Sequence, residues 1–171
     1  MANLEAEIAR LTREYQAKTG KLLTIGTVES ATGGRIANRI TNVPGSSDYF
    51  KGSVVAYSNE VKIALVGVKR KTIENYGAVS EQTALEMAQG GKKLLDVDIC
   101  VSDTGIAGPS GGTAEEPVGL FYLGLAAGDE SLSQKHIFPG NREENKRDAA
   151  EAALDMLKQY LVQCIDTTDR R

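Results

Sequence analysis

Histidine is all but missing. The chain holds one, His136, which excludes the paired-histidine zinc sites of H-E-x-x-H proteins. A Ser-His-Asp triad remains only if His136 is its base. Cysteine is scarce too. Cys100 and Cys164 stand far apart with no C-x-x-C, so neither a redox pair nor a zinc knuckle is expected, and two free thiols in a reducing compartment fit better. Six tyrosines, three phenylalanines and no tryptophan give little material for stacking single-stranded nucleic acid. Nor is there a basic excess: 20 Lys and Arg face 23 Asp and Glu, a net charge of −3, against a general nucleic-acid binder. No apolar run approaches the roughly 20 residues that span a bilayer. The opening MANLEAEIARLTREYQAK is charged and periodic, unlike a signal peptide. A cytoplasmic protein without nucleic-acid or membrane partners is expected.

What the chain has in plenty is glycine, 18 of 171 residues, above the roughly 7% norm. Its length suits one domain, residues 1–171, that needs no disulfide or structural metal. Leu4, Ile8, Leu11 and Tyr15 recur at helical spacing, so residues 1–19 are expected to form a helix packing on that domain, ended by Gly20. LLTIGTV (22–28), SVVAY (53–57), VDICVSDTG (from 97), VGLFYLGLAA and SQKHIF read as strands. Between them lie a helix opening with Thr32-Gly33-Gly34, a short helix capped by Asn59, a second short one near 71–75, and a longer one capped by Ser80. A last helix starts near Asn141, with Glu143 and Arg147 as an i,i+4 pair. Two successive crossovers imply parallel pairing of the first three strands, and the short connection between the last two implies antiparallel pairing. The class is α/β: a three-layer α/β/α sandwich around a mixed, mainly parallel sheet of about five strands.

Ligands collect beyond the carboxyl ends of such parallel strands. The first strand is followed by Glu29-Ser30-Ala31-Thr32-Gly33-Gly34, the second by Tyr57, Ser58, Asn59 and Lys62, the third by Ser102, Thr104 and GIAGPSGGTAEEP. Ser30 or Thr32 could cap the next helix. Ser30 could equally be a nucleophile at a positive helix start, though it lies in no G-x-S-x-G elbow. Its base would be Lys62, if burial removes the lysine's proton, or His136, which reads better as a strand residue. Tyr57 could relay a proton or orient Lys62. The loop Gly105–Gly112 could form an anion nest or be merely flexible. Glu115 and Glu116 read as solvated carboxylates rather than as a metal site. Arg142, at the wrong helix end for the dipole, is either a surface residue or held for an anionic ligand.

Taken together, ESATGGRIANRITNVPGSSDYFKGSVVAYSNEVK, GAVSEQTALEMAQG, SDTGIAGPSGGTAEEPVG and FPGNR resemble the CinA C-terminal-domain family over about Leu22–Leu157. The resemblance implies a nicotinamide mononucleotide (NMN) deamidase of the three-layer fold. NMN would be hydrolysed to nicotinate mononucleotide and ammonia in pyridine nucleotide recycling, with no cofactor and no metal. It implies catalytic roles for Ser30, Lys62 and Tyr57. Substrate contacts would come from Thr32, Gly33, Gly34, Thr104, Gly105, Ile106, Ala107, Gly108 and Arg142. With those roles the expected chemistry is an acyl-enzyme: Lys62 takes the proton of Ser30, Ser30 attacks the amide carbon, the amides at the Thr32–Gly34 helix start are candidates for the oxyanion hole, and Tyr57 shuttles the proton to the leaving ammonia. Three departures from the family pattern stand out: Ala31 in place of a frequent cysteine, Ser110 in place of a glycine, and Lys146 in place of an arginine. The expected partner is the small-molecule substrate; a homo-oligomer fits the resemblance, and the chain reads as a stand-alone domain. The alternatives are a nucleotide-binding sensor without turnover and an amidase for another pyridine nucleotide amide.

Overall fold

The computed structural model describes residues 3–171; Met1 and Ala2 of the expected first helix lie outside the described residues. Helix α1 (Leu4–Thr19) starts at Asn3, whose side chain accepts from the Ala6 amide, and closes at Gly20 in the left-handed region. Strand β1 (Ile25–Glu29) is buried along its whole length, as a strand covered on both faces must be. It lies between β2 (Phe50–Val55) and β3 (Ile99–Gly105) in the order β2-β1-β3-β4-β5 and is parallel to both neighbours. Strand β4 (Leu120–Ala127) runs antiparallel to β3 and to β5 (Glu130–Ile137). Four of the five strands therefore share one direction.

Helices cover both faces, giving the three-layer α/β/α arrangement. On one face α1, α2 (Arg35–Thr41) and α6 (Arg142–Asp169) pack on Ile25, Ile99, Val101, Leu123 and Leu125. Leu4, Ile8 and Leu11 of α1 share this core with Leu154, Leu157 and Leu161 of α6. The other face carries α3 (Asn59–Ala64), α4 (Arg70–Tyr76) and α5 (Glu81–Leu94), with Met87 of α5 in one core with Val28, Ala56 and Cys100. Helix α5 comes very close to the sheet. A Cβ on Gly91 would lie 2.2 Å from Val28 and 2.6 Å from the Cys100 sulfur, so only glycine fits. Both cysteines are free, and burial pushes the Cys100 thiol up to about 12.

Several local expectations shift. Strand β2 begins at Phe50 and ends before Tyr57. The cap of α3 is Ser58, not Asn59: the Ser58 hydroxyl accepts from the Val61 amide, a position Asn59, already helical, cannot fill. Glu143 and Arg147 do not pair, because Arg35 takes Glu143 and Asp148 takes Arg147. Helix α6 opens with a capping box between Asn141 and Glu144, which satisfies two otherwise orphaned amides. No helix among the described residues is long and apolar enough to cross a membrane.

The chain leaves β1 toward β2 and leaves β3 toward β4, on opposite sides. The carboxyl ends of β1 and β3 thus frame the crevice where this fold class binds ligands.

Candidate active site

At that crevice lies a cavity of about 280 Å³. Ser30 and Ala31 reach it from the end of β1, Tyr57, Asn59 and Lys62 from the end of β2 and α3, and Thr104 to Gly108 from the end of β3. Arg142 closes it from the first turn of α6.

Lys62 is the unusual member. It is 2% exposed, although lysine is almost never fully buried without a partner. Its Nζ lies 2.9 Å from Ser30 Oγ, 2.8 Å from the Ala56 carbonyl oxygen and 3.1 Å from the Tyr57 carbonyl oxygen. Among the described residues no carboxylate pairs with it. Burial pulls its pKa below the usual lysine range, with Asp103 opposing. Tyr57 thus meets Lys62 through its backbone carbonyl, while its phenol sits at the rim and accepts from Arg142 at 3.2 Å. Arg142 also donates to the Gly108 carbonyl at 2.7 Å, which leaves further guanidinium donors for an anion.

Two fully buried carboxyl groups that sequence reasoning did not single out support this arrangement. Glu29, the last residue of β1, accepts from the amides of Gly34, Ile36 and Ala37 at 3.1, 2.9 and 2.9 Å. Asp103, near the end of β3, accepts from the amides of Ser30 and Thr32 at 3.0 and 3.1 Å. Together they fix the turn that carries Ser30. An acid at a strand's carboxyl end followed by glycines was the available signal. Asn145 was missed as well: buried on α6, it donates to the Ala107 carbonyl and accepts from the Gly140 amide, pinning the loop.

Of the expected contact residues, Thr104, Gly105, Ile106, Ala107, Gly108 and Arg142 line the cavity, and Thr32, Gly33 and Gly34 do not. Gly33 and Gly34, with φ of +64° and +99°, turn the chain back on itself. The Thr32, Gly33 and Gly34 amides then donate to Asp103, the Ser30 carbonyl and Glu29. They are therefore not the oxyanion donors that the sequence led us to expect. Ala31 lines the cavity, and its amide has no partner among the described residues. Ala78 and Val79, just before α5, add an apolar wall. Thr104 donates to the Ala78 carbonyl at 2.7 Å, joining the two segments. His136 lies elsewhere, on β5, stacked on Phe138 at 5.3 Å. No group of three or more His, Cys, Asp or Glu side chains among the described residues is arranged to hold a metal ion.

This site sits in a fold with close counterparts. The chain is similar to a crystal structure of the competence/damage inducible protein CihA from Agrobacterium tumefaciens, at 36% identity and a TM-score of 0.83, over 92% of this chain and 94% of that one. It is also similar to CinA-like proteins of Endomicrobium trichonymphae, 51% identical over 81% of this chain, and of Kosmotoga olearia, 47% identical over 94%. It spans about a third of the length of those two relatives, 32% and 37% respectively. The family model described as the CinA C-terminal domain matches residues 5–161, which takes in every residue that lines the cavity. With that match the chain belongs to the CinA C-terminal domain family.

Proposed function

We propose that this domain hydrolyses the carboxamide of NMN to nicotinate mononucleotide and ammonia through a Ser30 acyl-enzyme. The observation that carries this reading is the environment of Lys62. A neutral amine has two N–H donors and one lone pair. The Ala56 and Tyr57 carbonyls occupy the two donors, so the lone pair is left for the hydroxyl proton of Ser30, 2.9 Å away. A serine needs such an activating base.

Lys62 takes the proton as Ser30 Oγ attacks the amide carbon. The Ala31 amide, next after the nucleophile, is placed as a donor to the developing oxyanion, the position that commonly serves in serine hydrolases. Lys62 then returns the proton to the leaving ammonia, and water hydrolyses the ester with Lys62 again as base. The pyridine ring fits the wall of Ala78, Val79 and Ile106. The phosphate fits Arg142 together with the loop amides of Gly108 and Gly111, both at positive φ.

The phosphate assignment is tested by Arg142→Ala. Loss of charge-assisted hydrogen bonds of about 1.5–3 kcal/mol predicts a fall of roughly 10- to 100-fold in kcat/KM for NMN. Turnover of nicotinamide riboside, which lacks the phosphate, should barely change. Equal losses on both substrates would place the phosphate elsewhere.

A further inference from the structure

A single hydroxyl stands between the two buried carboxyl groups behind Ser30. Thr32 Oγ1 lies 2.7 Å from Glu29 Oε1 and 2.5 Å from Asp103 Oδ1. Both carboxyl groups and the threonine are at most 1% exposed. One hydroxyl has one proton to give. If both acids were ionised, one of these contacts would set oxygen lone pairs against each other with no proton between. A second proton therefore belongs to the chain, on one of the two acids.

The surroundings decide which. Glu29 accepts three backbone N–H groups. Its Oε2 also faces the Thr27 and Ser53 hydroxyls at 3.3 and 3.4 Å. Those two hydroxyls lie 2.7 Å apart, so one donates to the other and the second proton is free for Glu29. Asp103 has two backbone N–H groups only. Glu29 is thus the better solvated anion. We infer that Asp103 is held as a neutral carboxylic acid that donates to Thr32 Oγ1, while the Thr32 hydroxyl donates to the Glu29 carboxylate.

The charges around Asp103 agree. Glu29 faces it from β1 and Lys62 from α3. Helix α6 sets Asn145 on the Ala107 carbonyl and Lys146 Nζ near Gly33, and neither is among the groups bonded to Asp103. Burial pushes Asp103 up to about 6, aided by the Glu29 charge and opposed by hydrogen bonds from Thr32 and Ser30. With its proton directed to Glu29, the Thr32 hydroxyl has none left to stabilise an Asp103 carboxylate. An ionised Asp103 would hold the proton on Lys62; a neutral one does not. Asp103 is thus a positioning residue: it fixes the Ser30–Thr32 turn through two amides and leaves Lys62 a free amine. The consequence for Lys62 rests on the amidase reading; the proton on Asp103 does not.

Infrared spectroscopy of the full chain at pH 6 tests this without reference to turnover. Ordinary aspartates and glutamates, with pKa values of about 3.9 and 4.3, are ionised there. One protonated-carboxyl C=O band is expected. It should shift on ¹³C-aspartate labelling and not on ¹³C-glutamate labelling, move in Thr32→Val, where its acceptor is lost, and return in Thr32→Ser. Absence of the band, or a band that follows the glutamate label, would overturn the inference. Ammonia release measured on the same samples keeps the two readings apart. A protein with the band and no turnover supports the proton and contradicts the amidase. A protein with turnover and no band does the opposite.

Discussion

Replacing Lys62 with methionine is expected to lower kcat on NMN by about 10²- to 10⁴-fold, the usual contribution of a positioned base, and to leave KM nearly unchanged. Lys62 contacts Ser30 and two backbone carbonyls, and the groups proposed for the phosphate are separate. Methionine nearly matches the lysine stem and needs no solvation, so the folded state should persist. The same residue sets a pH dependence. Its folded pKa lies below the ordinary lysine value because burial disfavours the ammonium. The base works only when neutral, so kcat should rise with pH through that depressed pKa and then level off. In Lys62→Met the rising limb should vanish from the residual rate. Steady-state ammonia assays from mildly acid to alkaline pH check both points. A folded Lys62→Met protein with full activity would remove Lys62 as the base.

The second large effect concerns stability. Glu29→Gln keeps the side-chain shape and turns one acceptor oxygen into a donor. In either orientation its NH₂ meets at least one backbone N–H now bonded to Glu29, at Gly34, Ile36 or Ala37. An orphaned buried donor costs about 1–3 kcal/mol, and more where a charge was involved. A loss of about 3 kcal/mol is expected, read as a lower denaturation midpoint at unchanged m-value. For a domain of this size it corresponds to a Tm lower by about 6–12 °C. The molecules that remain folded should also turn over more slowly, because the Glu29 bonds shape the turn holding Ser30. An unchanged midpoint would mean that the turn is held by Asp103 alone.

How legible this was in the sequence differs from residue to residue. The helical stripe of Leu4, Ile8 and Leu11 and that of Leu154, Leu157 and Leu161 were readable because spacing alone decides which face is buried. The crevice was readable because crossover chirality fixes which strand ends meet. Ser30 and Lys62 were nominated by their place after strands one and two, and the structure sets them 2.9 Å apart. Glu29 and Asp103 were legible only as acids near strand ends that glycines follow. Nothing in local spacing says that an acid at a strand's end turns inward, and the cost of burying it is met only by amides that the fold delivers. The same fact explains the misplaced oxyanion donors. The Thr32–Gly34 amides look free in the sequence, but the turn through two left-handed glycines sends those of Thr32 and Gly34 to these acids and that of Gly33 to the Ser30 carbonyl. Ala78 and Val79 join the site through the Thr104 bond to the loop before α5, a contact 26 residues apart in sequence that no pattern announces.

In the proposed chemistry Ser30 carries an amide hydrolysis with Lys62 as its base. Ammonia release from NMN by the purified chain in EDTA, with Ser30→Ala measured alongside, addresses it most directly. Steady release by the wild type despite the chelator is expected, and none above background in a folded Ser30→Ala variant. A folded wild-type protein that binds NMN and releases no ammonia, or a Ser30→Ala variant as active as the wild type, would contradict it.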